Sequence, residues 1–228
     1  MDKRQQLTET LTQFICLVAK SLPDDVLDAL EKLRAEETET LASAVYSCMF
    51  DNLDRAQALD RPACQDTGVL QFFLKAGADF TLLAQMNDIC RDAVAGATGR
   101  APLRHNAVEA FDEKNTGTNT GTRNPWVEWE ITEGSGLEIT VYMAGGGCSL
   151  PGRAMVLMPS AGYEGIVRYV MDTIVDWGIN ACPPRIVGVG IGTDAPTSAE
   201  LSKKAMLRPV GTVNPHPKAA DMEKRLKD

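Results

Sequence analysis

The order of helical and strand-like patterns is the feature that most constrains the fold of this 228-residue chain. Helical patterns fill most of the first hundred residues, starting with apolar residues at helical spacing: Leu7, Leu11, Phe14, Ile15 and Val18. A short apolar run, VLQFFL, predicts a strand among these helices. Beyond residue 100, strand-like and helical stretches mix without regular β-α-β alternation. The order predicts an α+β fold, with a helical part over about 1–100 and a mixed sheet with packed helices over about 101–228.

Some segments allow finer predictions. WVEWEI and LEITVYM alternate apolar and polar residues, and the turn-like TEGSG between them indicates a hairpin. RIVGVGIG is too apolar for a half-exposed strand, so we expect a central one. We expect Ser21 to cap a second helix that carries Pro23 in its first turn. The chain ends in HPKAADMEKRLKD, which predicts either a short terminal helix or a longer parent chain.

The net charge of −8 argues against a nucleic-acid or membrane-surface partner, because such an acidic surface repels both. No stretch approaches the about 20 apolar residues that span a bilayer. The N-terminal residues predict an amphipathic helix and lack the features of a signal peptide. We therefore expect a cytoplasmic location.

The six cysteines fall into two groups. Cys16, Cys48 and Cys90 lie in helical patterns, where we expect buried small hydrophobic side chains. Cys64 and Cys182 lie beside turn residues at the edges of predicted strands. For these two, a disulfide, a metal ligand and a plain core thiol all remain open, since the chain has no Cys-x-x-Cys pair.

Two further stretches could carry chemistry. The glycines of AGGGCSLPGR would let backbone N–H groups approach a ligand closely, although a plain turn after an edge strand fits the pattern equally well. Arg104 and His105 follow a proline-bearing turn and precede a Gly/Thr/Asn loop. Either could be an ordinary solvated or structural side chain.

Five segments in this order, RPACQDTG, NTGTNTG, AGGGCSLPGR, NACPPRIVGVGIGT and KKAMLRPVG, resemble the α subunit of the class I iron–sulfur hydro-lyases. This family comprises class I fumarases and L(+)-tartrate dehydratase, and the match extends over nearly the whole chain from about residue 20. LPGR after the glycines, and RHNAVEAFDEKNTG, are closer to the tartrate-dehydrating members. Fumarases usually have a serine where this chain has Cys148. The resemblance implies dehydration of L(+)-tartrate to oxaloacetate, with fumarate hydration as the alternative.

The resemblance also implies a 4Fe–4S cluster held by three thiolates, with one iron left as a Lewis acid for the substrate. Cys64 and Cys182 match two ligands, so we expect them to be reduced and close together. The third family ligand is expected beyond Asp228, with Cys148 as the fallback. A chain lacking the C-terminal segment is expected to bind the cluster poorly or not at all. A truncated, cluster-free and inactive binding or assembly chain is therefore the rival hypothesis.

The remaining family roles apply to single residues. Gln65 matches a substrate contact, and Asp66 a substrate contact that also takes part in proton transfer. Arg104 matches a carboxylate clamp and Gly146 a backbone contact to a substrate carboxylate. His216 matches the family's active-site histidine. A small dicarboxylate substrate, a β subunit that completes the site, and self-association through an exposed apolar patch are expected.

Overall fold

A computed structural model describes residues 2–67 and 69–227. It contains two compact units, one formed by Met1–Pro23 and Leu33–Gly146 and the other by Asp24–Lys32 and Gly147–Asp228. The helices are α1 (Lys3–Lys20), α2 (Asp24–Glu36), α3 (Thr40–Leu59), α4 (Met86–Arg100), the single turn α5 (Gly146–Ser149), α6 (Gly162–Trp177), α7 (Ala195–Met206) and α8 (Pro217–Lys227). The strands are β1 (Val69–Gly77), β2 (Val108–Glu109), β3 (Lys114–Asn115), β4 (Trp126–Thr132) and β5 (Leu137–Ala144). The predicted α+β class is confirmed.

Helix α1 begins with a capping box, in which Asp2 Oδ1 accepts from Gln5 N at 2.8 Å and Gln5 Oε1 accepts from Asp2 N at 3.2 Å. The prediction that Ser21 caps the second helix is wrong. Ser21 instead closes α1 by donating its N–H to Leu17 O at 3.0 Å. Pro23 is the N-cap of α2, where its missing N–H has no helical role to lose.

In the three-stranded sheet, β1 lies between β4, which is parallel to it, and β5, which is antiparallel. WVEWEI and LEITVYM are therefore strands as predicted, but the hairpin between them is wrong because β1 separates them. Their connection crosses the end of β1, where Gly77 N donates to Gly136 O at 2.8 Å and Asp79 N donates to Gly134 O at 2.9 Å. A Cβ on Gly77 would lie 2.0 Å from Gly134 O, so only glycine permits this crossing.

The core of the first unit lies between one face of this sheet and helices α1 and α4. Alternate β1 residues Leu70, Phe72 and Leu74 are buried, as expected for a strand with one covered face. The covering helices contribute apolar side chains at helical spacing: Leu11, Ile15 and Ala19 from α1, and Met86, Ile89, Cys90, Ala93, Val94 and Ala97 from α4. This packing fixes both ends of β1 and β5, next to which the candidate site residues lie.

The second unit has few buried apolar side chains; Val170 of α6 and Met222 of α8 are among them. An ion pair between Arg225 and Glu164, at 2.9 Å, joins the same two helices. Many of its larger apolar side chains are exposed, including Ile179 next to Cys182.

The prediction of a central strand over RIVGVGIG is wrong, since no strand is found there among the described residues. Glycines on one side of this segment lie against α7: a Cβ on Gly188 would be 2.2 Å from Ser202 O, and one on Gly190 would be 2.0 Å from Ser198 O. The glycine periodicity therefore serves close approach to a helix. Ile186, Val187 and Ile191 of the same segment remain exposed.

The predicted burial of cysteines in helices is confirmed for Cys16 and Cys90, which lie in the core. For Cys48 it is wrong, because this thiol is exposed on α3. Among the described residues, no helix is long and apolar enough to cross a membrane.

Candidate active site

The loop containing Cys64, Gln65 and Asp66 connects α3 to β1 in the first unit. The loop is anchored at Ala63, whose N–H donates to Ala19 O at 2.9 Å and whose carbonyl accepts from Asn52 Nδ2 at 2.6 Å. Cys64 and Gln65 are exposed, and Asp66 is half-buried. Cys64 Sγ accepts a hydrogen bond from Asp66 N at 3.4 Å. A thiol held this way has its sulfur oriented by the backbone and remains accessible.

Strand register brings the carboxylate of Asp66 to the glycine-rich turn. In the antiparallel pair of β1 and β5, Val69 lies opposite Ala144, so residues just before β1 meet those just after β5. Gly145 is buried there, and a Cβ built on it would lie 1.7 Å from Asp66 Oδ2. The carboxylate thus occupies the place of a side chain at Gly145, which makes glycine a steric requirement at this position.

A second contact fixes the same carboxylate. Asn106 Nδ2 donates to Asp66 Oδ1 at 3.2 Å. Asn106 belongs to the segment after α4 that also holds Arg104, and Thr67 Oγ1 donates to Arg104 O at 3.3 Å. The Arg104 side chain itself is exposed, as is that of His105. Arg104 therefore has its backbone beside the Cys-Gln-Asp loop and its guanidinium accessible to an anionic ligand.

The side chain of Asn119, in the NTGTNTG segment, holds the backbone of residues 104–107 by hydrogen bonds. Its side chain is only 2% exposed, and its φ of 55° lies in the left-handed region that asparagine tolerates. Its Oδ1 accepts from Asn106 N at 3.1 Å and from Ala107 N at 3.2 Å, while its Nδ2 donates to Arg104 O at 3.0 Å. Three backbone polar groups of a loop without regular secondary structure thereby gain a hydrogen-bond partner.

A cavity of about 130 Å³ opens beside this loop. It is lined at one side by the end of α1 and the residues after it, and at the other by Cys64, Asp66, Thr67 and Met143. Arg104, Gln65 and the glycine turn are outside its lining. Of the candidate residues of the first unit, the cavity thus brings together Cys64 and Asp66.

The other predicted residues belong to the second unit. Cys182 is exposed in the loop after α6, and His216 is exposed before α8, with its N–H donating to Asn214 Oδ1 at 2.9 Å. Cys148 lies in the turn α5, near Lys203. Burial lowers the pKa of Lys203, and the neighbouring Cys148 opposes that shift.

Within residues 2–67 and 69–227, no cluster of three or more His, Cys, Asp or Glu side chains is arranged to hold a metal ion. The donor chemistry of two positions nevertheless suits iron, because Cys64 and Cys182 present exposed sulfurs on loops. Cys64 also accepts a backbone N–H bond, a feature that tunes thiolates bound to iron–sulfur clusters. Each of the two sulfurs is therefore accessible to a metal ion.

Comparison with known proteins identifies the class. The profile of the fumarate hydratase (Fumerase) family matches residues 8–228. L(+)-tartrate dehydratase subunit alpha of Escherichia coli is 53% identical over 224 residues, which are 98% of this chain and 74% of that protein. The subunit of the same name from Shigella sonnei is equally similar. A Methanocaldococcus jannaschii protein, named provisionally as this subunit, is 33% identical over 97% of the chain and 79% of its own length.

The chain belongs to the fumarate hydratase (Fumerase) family, a family of hydro-lyases. This confirms the family resemblance that the five sequence segments indicated. The roles of the individual site residues remain predictions.

The sequence predicted a backbone contact with a ligand for the AGGG glycines but no steric role for Gly145, and it predicted no role for Asn106 or Asn119. For Gly145 and Asn119 a signal existed, since AGGG and NTGTNTG are both rich in residues that adopt unusual backbone conformations. Such patterns predict a tight or left-handed backbone without saying what packs against it. The contact of Asn106 with Asp66 spans 40 residues of sequence and left no local signal.

Proposed function

We propose that this chain is the α subunit of an iron–sulfur hydro-lyase that dehydrates L(+)-tartrate to oxaloacetate. The observation that carries the proposal is the 53% identity to L(+)-tartrate dehydratase subunit alpha over 98% of the chain. The geometry around Asp66 supports it, because a carboxylate held by Asn106 and Gly145 beside an accessible thiol suits an acid–base group near a cluster ligand.

The proposed cofactor is a 4Fe–4S cluster with Cys64 and Cys182 as two thiolate ligands. Bound there, it would supply a Lewis acid for the substrate hydroxyl. The Asp66 N–H that reaches Cys64 Sγ would orient the sulfur of this ligand. The third thiolate is proposed outside the described residues, with Cys148 as the alternative.

The chain's own residues would bind the substrate and move its proton. Loss of water from tartrate removes a proton from one carbon and hydroxide from its neighbour, and the resulting enol becomes the ketone of oxaloacetate. Asp66 is the proposed proton-transfer group, with Gln65 as a substrate contact. The exposed Arg104 guanidinium would pair with one substrate carboxylate through its planar fork. Gly146 N–H and His216 complete the proposed set.

A β subunit is proposed to complete the site, since the named relatives are themselves α subunits. Exposed apolar side chains support an interface on the second unit: Ile179 is 82% exposed and Val156 is 74% exposed. Self-association of the chain alone is proposed to use the same surface. A cytoplasmic location is proposed because thiolate ligands must stay reduced.

The test is to produce the chain with and without its β subunit, reconstitute both anaerobically with iron and sulfide, and assay L(+)-tartrate and fumarate. We expect dehydration of tartrate by the complex when its α subunit carries all three thiolate ligands, and none by the chain alone. Faster turnover of fumarate would instead favour a class I fumarate hydratase, the alternative that the family match supports. A complex without cluster or turnover would favour the cluster-free binding or assembly chain.

A further inference from the structure

We propose that Asn119 is a positioning residue for the hydro-lyase reaction and that it acts on Asp66 through Asn106. The inference rests on the proposed function, in which Asp66 transfers the proton. It assigns to the NTGTNTG segment a task beyond forming a loop: to hold the carboxylate of Asp66 in one place.

The first step is the connection of Asn119 to the loop after α4. Both polar atoms of its buried amide are used, and they reach backbone groups on both sides of residue 105. Its Nδ2 also donates to Thr98 Oγ1 of α4 at 3.3 Å, and Thr98 Oγ1 donates to Thr118 O at 3.1 Å. Removing this amide leaves the buried Ala107 N–H without its described acceptor and leaves the Asn106 N–H only Arg104 O, at 3.0 Å. Such a loss favours movement of the segment.

The second step is the connection of that segment to Asp66. Asn106 N–H donates to Asn119 Oδ1, and the Asn106 side chain donates to Asp66 Oδ1. The carboxylate sets the orientation of the Asn106 amide, because a flipped amide would place Asn106 Oδ1 against Asp66 Oδ1. Gly145 confines the carboxylate on the other side. A displaced Asn106 therefore removes a hydrogen bond that orients Oδ1 of Asp66.

The sequence contains its own comparison. NTGTNTG holds two Asn-Thr-Gly triplets, starting at Asn115 and Asn119. Asn115 is exposed and its Oδ1 accepts only a local bond from Gly117 N, at 2.8 Å. Asn119 is buried and joins three segments of the fold. Asn115→Gly is thus a matched control for Asn119→Gly, which keeps the left-handed backbone accessible while deleting the amide.

The kinetic test uses the reconstituted complex with its β subunit and L(+)-tartrate as substrate. We expect N119G and N106A each to lower kcat by about tenfold or more, since small misplacements of a reacting group cost up to about 100-fold. N115G should stay within about twofold of wild type. Because both residues act on Asp66 through the same contacts, kcat of the double variant N119G/N106A should be no lower than kcat of the worse single variant. Additive losses in the double variant, or an unchanged kcat in folded N119G, would overturn the proposal.

A second readout separates this inference from the proposed function. Hydrogen exchange of the chain should rise at residues 62–67 in N119G as well as at 104–107, and N106A alone should also raise it at 62–67. If the wild-type complex turns over neither L(+)-tartrate nor fumarate, the proposed function is wrong, and hydrogen exchange at residues 62–67 still tests whether Asn119 positions Asp66. Unchanged exchange at 62–67 in both variants would overturn that positioning role. N106A, at a half-buried position, keeps the test available if N119G fails to fold.

Discussion

The carboxylate of Asp66 fills the space beside Gly145 that a side chain would otherwise occupy. A Cβ on Gly145 would lie 1.7 Å from Oδ2 and 1.8 Å from Cγ of Asp66, far inside any allowed contact. The two residues are 79 apart in sequence, and the β1–β5 register brings them together. The first glycine of the turn therefore has a steric role that differs from the backbone contact proposed for Gly146.

Gly145→Ala is expected to push the Asp66 carboxylate out of place and to lower kcat of the reconstituted complex by about 10- to 100-fold. Gly99→Ala is the control: nothing lies within 4 Å of its Cβ position, and alanine favours its helix. The measurement is kcat on L(+)-tartrate together with the melting midpoint of each variant. A G145A complex with wild-type kcat would show that the position of Asp66 is not critical.

The proposed cluster ligands can be tested by iron content. Cys64→Ser and Cys182→Ser should each reduce bound iron and sulfide in the reconstituted complex at least severalfold, since thiolates are the preferred ligands of such clusters. Cys48→Ser is the control, because Cys48 is also an exposed thiol but lies on α3. Cys148→Ser distinguishes the fallback: cluster loss in this variant would place the third ligand within the chain. Full iron content in C64S or C182S would contradict the assignment of that residue.

Local patterns predicted most elements of the fold. α1, α4 and β1 follow directly from the spacing of their apolar residues, because one face of each is covered. The pairing of the strands was not predictable in this way. β4 and β5 look like a hairpin since they are adjacent in sequence, yet β1 forms between them and the connection crosses its end.

The candidate site shows the same limit. The resemblance singled out Cys64 and Asp66 from their immediate neighbours, and the structure places both at one cavity. What confines Asp66 comes from Gly145 and Asn106, which are distant in sequence. The prediction for RIVGVGIG was wrong for a related reason. Its apolar residues suggested a strand buried within a sheet, whereas its glycines pack against helix α7. The composition of a segment indicates whether it is apolar or rich in glycine, but it does not indicate which distant residues the segment contacts.

Thiol reactivity should divide the cysteines by burial. Burial raises the pKa of Cys90 to about 12 and also raises the pKa of Cys16. At pH 8 a pKa of about 12 leaves a thiolate fraction of about 10⁻⁴, and the surrounding core adds a steric barrier. With iodoacetamide under native conditions we expect Cys48 and Cys64 to be alkylated and Cys16 and Cys90 to be protected until denaturant is added. Peptide mass spectrometry reads this out, and labelling of Cys90 as fast as Cys48 would contradict the packing of α4 against β1.

The ion pair between Glu9 of α1 and Arg100 of α4 should make the stability of the fold depend on pH in the acid range. Arg100 donates to both carboxylate oxygens of Glu9, at 2.7 and 3.0 Å, and Gln13 Nε2 donates to one of them at 2.7 Å. Mainly through Arg100, and then through Gln13, these bonds lower the pKa of Glu9 from 4.5 to about 2. A carboxylate with a lowered folded-state pKa stabilises the fold above its unfolded pKa and loses that contribution as the pH falls towards the folded value.

Glu9→Gln should therefore lower the melting midpoint at pH 7, by no more than about 2–4 °C because both side chains are partly exposed. The difference from wild type should narrow as the pH falls from 4.5 towards 2. Added salt should also reduce this difference in melting midpoint, since water and ions reach the ion pair. Glu133→Gln, at an exposed position in the β4–β5 connection, is the control and should leave the midpoint unchanged. Thermal unfolding by circular dichroism between pH 7 and 3 provides the measurement, and a difference that widens in acid would show that Glu9 does not act through its charge.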